Sequence, residues 1–172
     1  MPQLVLTGFM ATGKTEVGRR LGRLLGRPFV DTDGLVEAAA GRTVADIFAV
    51  DGEAHFRGLE RVAVEQACAV PDAVIATGGG TLLDPENRRR LAAAGPIVCL
   101  CADAEEILRR TGEATSRPVL GGGNGGSDRL ARIRGLIAER APAYALATHR
   151  IDTSGLSVDQ VVERVRALVA GR

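Results

Sequence analysis

The segment from Gly8 to Thr15 carries the strongest chemical signal in the sequence. Four residues separate Gly8 from Gly13, and Lys14 and Thr15 follow directly. In this spacing, backbone N–H groups surround phosphate oxygens, the lysine neutralises their charge, and the threonine hydroxyl can join Mg²⁺. A predicted strand at 3–7 precedes the segment and a predicted helix follows it, as a phosphate loop requires. A glycine-rich turn with an accidental lysine is the weaker alternative. The loop alone does not separate kinases from GTPases, ATPases or transporters.

Two acidic residues lie at the carboxyl end of the second predicted strand, which covers residues 28–31. Asp31 and Asp33 are two residues apart on a segment predicted to be extended, so their side chains should point the same way. Ligands gather at the carboxyl ends of strands in open α/β sheets. Paired carboxylates there could hold Mg²⁺ and accept or orient the proton of an attacking hydroxyl. The alternative is a solvated acidic turn that caps the next helix.

Three arginines are candidates for holding anionic groups. Arg117 precedes Pro118 and a glycine-rich tract at 121–126, which we expect to belong to a mobile lid because it has little side chain to bury. Lid closure would bring Arg117 onto a transferring phosphoryl group, although it can also be an ordinary surface arginine. Arg57 and Arg140 lie on predicted helices and matter only if an anion must be held.

The elements that must position these residues follow an alternating pattern. Apolar runs typical of strands alternate with helical periods, which predicts an α/β domain with a parallel sheet. A triple glycine at 78–80 follows one strand and would let the backbone approach a ligand closely. The predicted strands cover residues 3–7, 28–31, 73–76, 96–102 and 149–152. Predicted helices follow the phosphate loop, start at Thr43, Asp103 and Ser157, and cover about 53–69 and 129–140.

Composition limits the partners that the chain can have. Its 172 residues and net charge of +1 fit one domain, with no bulk electrostatic reason to bind nucleic acid or an anionic membrane. Nothing approaches the ~18 apolar residues of a membrane span, and no targeting segment is visible, so we expect the cytoplasm. Three cysteines make no disulfide framework. Cys99 and Cys101 lie on a buried strand without a matching ligand pair, which argues against a metal site.

Taken together, these motifs resemble the shikimate kinase family. The match extends to Asp51-Gly52-Glu53, Phe56-Arg57 with Glu60, and 140–144, in the family's order and over almost the whole chain. The resemblance implies a three-layer P-loop kinase fold with a five-stranded parallel sheet, a substrate-binding subdomain at about 32–60 and a lid at about 111–128. It implies ATP-dependent phosphorylation of the 3-hydroxyl of shikimate, which yields shikimate 3-phosphate and ADP for aromatic amino-acid biosynthesis.

The same resemblance assigns roles to individual residues. Positions that match the family's shikimate site are Asp33, Arg57, Gly78, Gly79, Gly80 and Arg140. Positions that match its ATP site are Ala11, Thr12, Gly13, Lys14, Thr15, Glu16, Arg110 and Arg117. Mg²⁺ would be held by Thr15 and Asp31, and the catalytic residues would be Asp33, Lys14 and Arg117. Glu60, three residues after Arg57, could hold that arginine in place. Gly155 and Leu156 depart from the family pattern near the adenine.

Other functions are compatible with parts of this pattern. A related kinase acting on another polyhydroxy acid, such as gluconate, would share the phosphate loop. A nucleotide-dependent switch that controls a protein partner would share it too, as would a degenerate binding module. Asp33 with Arg57 and Arg140 favours shikimate, because a carboxylate bearing hydroxyls needs cations and an anionic acceptor. We expect a monomer that binds only small molecules.

Overall fold

The computed structural model describes residues 1–112 and 126–170, and these contain a sheet of five parallel strands. The sheet has the order β2, β3, β1, β4, β5. Its strands are β1 Leu4–Gly8, β2 Phe29–Asp31, β3 Val74–Ala76, β4 Ile97–Cys101 and β5 His149–Asp152. Each predicted strand is present with bounds shifted by no more than one residue. The carboxyl ends of β1, β2 and β3 therefore lie side by side, which brings the loops that follow them together.

Helices connect the strands and cover both faces of the sheet. They are α1 Lys14–Leu25, α2 Thr32–Ala40, α3 Val44–Val50, α4 Gly52–Ala69, α5 Pro85–Ala94, α6 Ala104–Thr111, α7 Gly126–Tyr144 and α8 Val158–Ala170, with a 3-10 turn at Thr81–Leu83. Gly26, with φ of 62°, ends α1. Ser157 and Gln160 bond reciprocally at the start of α8, as the predicted capping box requires.

Alternation along the strands divides the core into two layers. On one face of the sheet, Leu4 and Leu6 of β1 pack with Leu21 of α1 and Val165 of α8. On the other face, Val5 packs with residues of α4 and α5. The result is the predicted three-layer α/β architecture, with helices on both sides of the sheet. Among the described residues, none of the helices combines the length and apolar character needed to cross a bilayer.

The structure corrects three predictions of local structure. Asp33 lies in the first turn of α2 and not on an extended segment, because the Asp31 side chain accepts a hydrogen bond from the Asp33 N–H and starts the helix at once. Helix α5 was not predicted, and Asp84 caps it with a proline in its first turn. Helix α7 is longer than predicted at both ends. Most of the expected lid, including Arg117, lies in 113–125, outside the described residues.

Candidate active site

The phosphate loop joins the buried strand β1 to the start of α1. Thr12 Oγ1 and Lys14 Nζ both donate hydrogen bonds to the Phe9 carbonyl, at 2.8 Å and 2.7 Å. Ala11 and Gly13 adopt positive φ values of 59° and 91°, so the chain turns sharply before the helix begins. The ammonium group of Lys14 is thus held across the loop, next to the helix N-terminus where anions are stabilised.

Thr15 and Asp31 meet beside this loop. Thr15 Oγ1 donates to Asp31 Oδ2 at 2.8 Å, while Asp31 Oδ1 accepts from the Asp33 N–H at 3.1 Å. A hydroxyl and a carboxylate are hard oxygen donors, which suit Mg²⁺. The part of the chain that the structure describes holds no group of three or more His, Cys, Asp or Glu able to bind a metal. Phosphate and water oxygens would have to complete the coordination, as is usual for Mg²⁺.

The carboxyl group of Asp33 lines a cavity next to the phosphate loop. Its Oδ1 atom is buried and has no hydrogen-bond partner among the described residues. Burial, and then the negative charge of Asp31, raise the pKa of Asp33 to about 6, although the positive charge of Lys14 opposes the shift. An unsatisfied buried carboxylate is costly, so this arrangement is expected where a ligand supplies the missing partner.

The Asp33 cavity has a volume of about 530 Å³ and collects the predicted substrate-binding residues. All six of them line it, namely Asp33, Arg57, Gly78, Gly79, Gly80 and Arg140. Sequence reasoning missed most of the remaining wall, which is formed by Met10, Glu37, Thr43, Val44, Ala45, Phe48 and Phe56. Glu60 also lines the cavity. Two guanidinium groups beside carboxylates fit a small anionic molecule that also bears hydroxyl groups.

Arg57 is held by two carboxylates on its own helix. It donates to Glu60 at 2.8 Å and to Glu53 at 3.0 Å. Glu60 is buried and also accepts a 2.6 Å hydrogen bond from Thr81 Oγ1. Burial opposes the charge of Arg57, but both carboxylates outweigh it and raise the pKa of the guanidinium. The contact predicted for Glu60 is therefore present, and it fixes the direction in which Arg57 faces the cavity.

Arg140 reaches the cavity from α7. Its guanidinium carbon lies 5.2 Å from the centre of the Phe9 ring, and its Nε is buried without a hydrogen-bond partner among the described residues. One turn later, Tyr144 donates a 2.5 Å hydrogen bond to the Gly79 carbonyl, and burial raises the pKa of Tyr144 to about 12. Sequence reasoning missed the roles of Phe9 and Tyr144. The spacing of Tyr144 four residues after Arg140 was the available signal.

The triple glycine at 78–80 packs against all three charged groups. A Cβ atom at the first glycine would lie 2.8 Å from Asp33 Oδ1, at the second 2.9 Å from Arg140 Nη1, and at the third 2.6 Å from Arg57 Nη2. These distances are shorter than side-chain carbons tolerate. Only glycine therefore leaves these groups where they are and lets backbone atoms face the cavity.

A second cavity, of about 360 Å³, lies on the other side of the phosphate loop. Arg110 borders it and donates to the Ala11 carbonyl at 3.2 Å and to the Thr153 carbonyl at 2.7 Å. Its wall includes Ala11, Thr12, Gly13, Val17, Arg110, Thr153, Gly155, Leu156 and Val161. Glu16 instead pairs with Arg20 at the surface of α1, at 2.9 Å. Glu106 and Arg109 also border this Arg110 cavity, but much of its wall is apolar, which suits a planar base beside the phosphate loop.

Comparison with known proteins identifies the family. The family model for shikimate kinase matches residues 10–170 of the chain. The chain belongs to the shikimate kinase family. The shikimate kinase of Pelotomaculum thermopropionicum is 45% identical over 165 residues, covering 96% of this chain and 94% of that protein. The shikimate kinase of Symbiobacterium thermophilum is 50% identical over 165 residues, covering 94% of this chain and 92% of that protein.

Solved structures of this family share the fold. The shikimate kinase of Acinetobacter baumannii in complex with shikimate superimposes with a TM-score of 0.93 at 34% identity, covering 99% of this chain and 94% of that one. A gluconokinase from Sinorhizobium meliloti gives a TM-score of 0.61 at 17% identity, covering 98% of this chain and 91% of that one. The second likeness shows a common fold only.

The raised pKa of Asp33 predicts a pH-dependent cost to stability. Because the native state holds this proton more tightly than the unfolded chain, stability falls as the pH rises from the ordinary value of 3.8 through about 6. In metal-free protein, Asp33→Asn should raise the free energy of unfolding by about 2 to 3 kcal/mol at neutral pH. At a pH near the ordinary pKa of 3.8, the gain in the free energy of unfolding should be small. Urea unfolding of the wild type and the variant, with EDTA present, measures this gain at pH 7 and at the low pH.

The low pH serves as the internal control for this prediction. There the carboxyl of the native wild type is protonated and resembles the amide of the variant, and that of the unfolded chain is about half protonated. An equal difference at both pH values would show that the substitution acts through packing and not through ionisation.

Proposed function

We propose that this member of the shikimate kinase family transfers the γ-phosphoryl group of ATP to the 3-hydroxyl of shikimate. The products are shikimate 3-phosphate and ADP. The observation that carries the proposal is the meeting of Asp33, Arg57 and Arg140 in one cavity beside the phosphate loop. The P-loop fold alone does not require these three residues together. A substrate that bears both a carboxylate and hydroxyl groups does require such cations and an anionic acceptor.

In the Asp33 cavity, the two arginines would bind the carboxylate of shikimate. A guanidinium presents paired donors that match a carboxylate, and the contact of Arg57 with Glu60 keeps it in position. Asp33 would accept hydrogen bonds from the hydroxyl groups and so give its buried oxygen a partner. The backbone of 78–80 would face the ring of the substrate at close range.

The phosphates of ATP would lie in the loop that ends at Lys14. Backbone N–H groups from Ala11 to Glu16, together with the N-terminus of α1, would surround them, and Lys14 would balance their charge. The base would occupy the Arg110 cavity. The role expected for Arg117 stays a prediction, since that residue lies outside the described residues.

Thr15 and Asp31 are the residues that would hold Mg²⁺. Their oxygens lie 2.8 Å apart. When bound, the ion supplies positive charge to the phosphate oxygens. Asp31 also starts α2 by accepting a hydrogen bond from the Asp33 N–H. The carboxylate of Asp31, which would bind the metal, and that of Asp33, which would bind the substrate, are therefore held close together.

Asp33 is the residue that would take the proton of the 3-hydroxyl. With a pKa of about 6 in the free protein, the carboxyl is mostly ionised at neutral pH and can accept a proton. Phosphoryl transfer has a loose transition state that demands little base strength. Placing the hydroxyl in line with the phosphoryl group is therefore the larger part of its task.

The remaining parts of the proposal concern organisation. Helices α2 and α3 with the start of α4 pack around Val36, Ile47 and Phe56, which supports a substrate-binding subdomain at about 32–60. One chain forms both cavities, which supports a monomer that acts on small molecules and not on nucleic acid or membranes. We place its reaction in the cytoplasm, where ATP is supplied.

An ADP-release assay with ATP, Mg²⁺ and one acid at a time tests the function. We expect release that depends on shikimate and none above background with gluconate, because the arginines and Asp33 are placed for a ring acid. Lys14→Ala, which removes the charge of the phosphate loop, should abolish the shikimate-dependent release and so exclude a contaminating kinase. Turnover of gluconate without turnover of shikimate would reject the proposal.

Tyr144→Phe tests whether α7 positions the glycine segment for the acid substrate. The variant loses the hydrogen bond to the Gly79 carbonyl, a loss of about 1 kcal/mol or slightly more. The KM for shikimate should therefore rise about five- to tenfold, with the KM for ATP unchanged. Steady-state kinetics with each substrate varied in turn measure both constants.

Thr148→Val is the matched control for this variant. Its hydroxyl accepts a hydrogen bond from the Ile97 N–H, away from both cavities, so its loss should lower stability without changing either KM. If Tyr144→Phe raised both KM values alike, or neither, the positioning role would be wrong.

A further inference from the structure

Two cysteines on β4 lie close together and take no part in the proposed reaction. Cys99 and Cys101 occupy alternate positions of the strand, so their side chains share one face. Their Sγ atoms are 3.6 Å apart. Cys99 is buried and Cys101 is half-buried, so a small reagent can reach the second sulfur before the first.

A cation on the neighbouring strand acts on the accessible sulfur. Arg150 pairs with Cys99 in the register of β4 and β5, and its Nη2 lies 3.7 Å from Cys101 Sγ. The hydrogen bond between the two sulfurs and the guanidinium of Arg150 lower the pKa of Cys101, although burial opposes them. The same hydrogen bond and burial raise the pKa of Cys99. Of the two thiols, Cys101 therefore loses its proton more readily.

We propose that Cys99 and Cys101 form a peroxide-reactive dithiol site, in which the Cys101 thiolate attacks the oxidant and Cys99 resolves the product. An accessible thiolate next to a second cysteine is the arrangement of redox-sensing thiols. A metal ion fits less well, because Arg150 places a positive charge at the sulfur. In addition, no third metal-binding residue completes a site in the described ranges 1–112 and 126–170.

The reaction balances in two steps with a hydroperoxide as oxidant. The Cys101 sulfur attacks one peroxide oxygen, an S–O bond forms, the O–O bond breaks, and the leaving oxygen takes a proton to become water or an alcohol. The Cys99 sulfur then attacks the sulfur of the resulting sulfenic acid. The S–S bond forms, the S–O bond breaks, and the proton of Cys99 leaves with the oxygen as water. The two thiols lose two electrons and the peroxide gains them.

Formation of this disulfide would disturb the phosphate loop. The Cβ atoms of alternate residues, on one face of an extended strand, are about 6.6 Å apart, whereas a disulfide holds its Cβ atoms at about 3.5 to 4.5 Å. Strand β4 must therefore bend or shorten between these residues. At this point it pairs with Thr7 and Gly8, where the phosphate loop begins. A shift of about 1 Å at a reacting group can cost on the order of 100-fold in rate.

The full chain with Cys68→Ser is the protein to test, since it retains only the proposed pair. After treatment with hydrogen peroxide, denaturation and alkylation, intact mass should show the loss of two hydrogen atoms and no alkylated cysteine. Dithiothreitol should reverse both changes. In a second variant that also carries Cys99→Ser, dimedone should label Cys101. If the wild-type chain were oxidised at Cys68 first, or the pair stayed reduced, the proposal would be overturned.

Arg150→Ala and Arg164→Ala separate the effect of Arg150 from a general loss of charge. Both arginines border the same surface cavity, but only Arg150 contacts a sulfur. Placed in the Cys68→Ser chain, Arg150→Ala should slow disulfide formation, because it removes the positive charge that stabilises the attacking thiolate. Arg164→Ala should leave it unchanged. Equal rates in the two variants would contradict the role of Arg150.

The activity measurement rests on the proposed function, whereas the mass and labelling measurements do not. We expect the oxidised Cys68→Ser protein to lose at least about 90% of its shikimate-dependent ADP release and to regain it on reduction. A disulfide that forms without changing turnover would overturn the coupling to the phosphate loop and leave the site itself supported.

Discussion

The arrangement of the site depends on one buried carboxylate. Asp33 lies between the phosphate loop and two arginines, and one of its oxygens has no partner within the described part of the chain. Burial and the neighbouring charge of Asp31 both oppose its ionisation, so the fold keeps it there at a cost to its own stability. Such a cost is characteristic of functional positions. The hydroxyl groups of a substrate would offset it by supplying the missing hydrogen bonds.

Several elements cooperate to hold this carboxylate. Asp31 starts α2 and so sets the position of Asp33 in its first turn. The hydroxyl of Thr32 accepts a hydrogen bond from the Gly78 N–H at 3.2 Å, which ties the end of β2 to the glycine segment. Tyr144 then ties that segment to α7, the helix that carries Arg140. Hydrogen bonds between side chains and the backbone therefore hold the segments that form the Asp33 cavity in fixed positions relative to one another.

The sequence predicted what local patterns encode and missed what distant contacts decide. The strands, the phosphate loop and the pairing of Arg57 with Glu60 follow from alternation, spacing and helical period, and all were predicted. The contacts of Arg140 with Phe9 and of Tyr144 with Gly79 join segments far apart in the chain, so no local pattern contains them. Asp33 was predicted on an extended segment because its spacing from Asp31 also fits a strand. It lies in a helix because the Asp31 side chain caps α2 by accepting a hydrogen bond from the Asp33 N–H.

In the reaction that we propose, Asp33 serves the transfer step and not the binding of nucleotide. The most direct measurement is single-turnover transfer from radiolabelled ATP to shikimate in the wild type and in Asp33→Asn, with ATP affinity measured by titration in parallel. We expect Asp33→Asn to bind ATP as tightly as the wild type and to transfer the phosphoryl group about 100-fold more slowly, or more slowly still. Transfer by the asparagine variant at a rate near that of the wild type would contradict it.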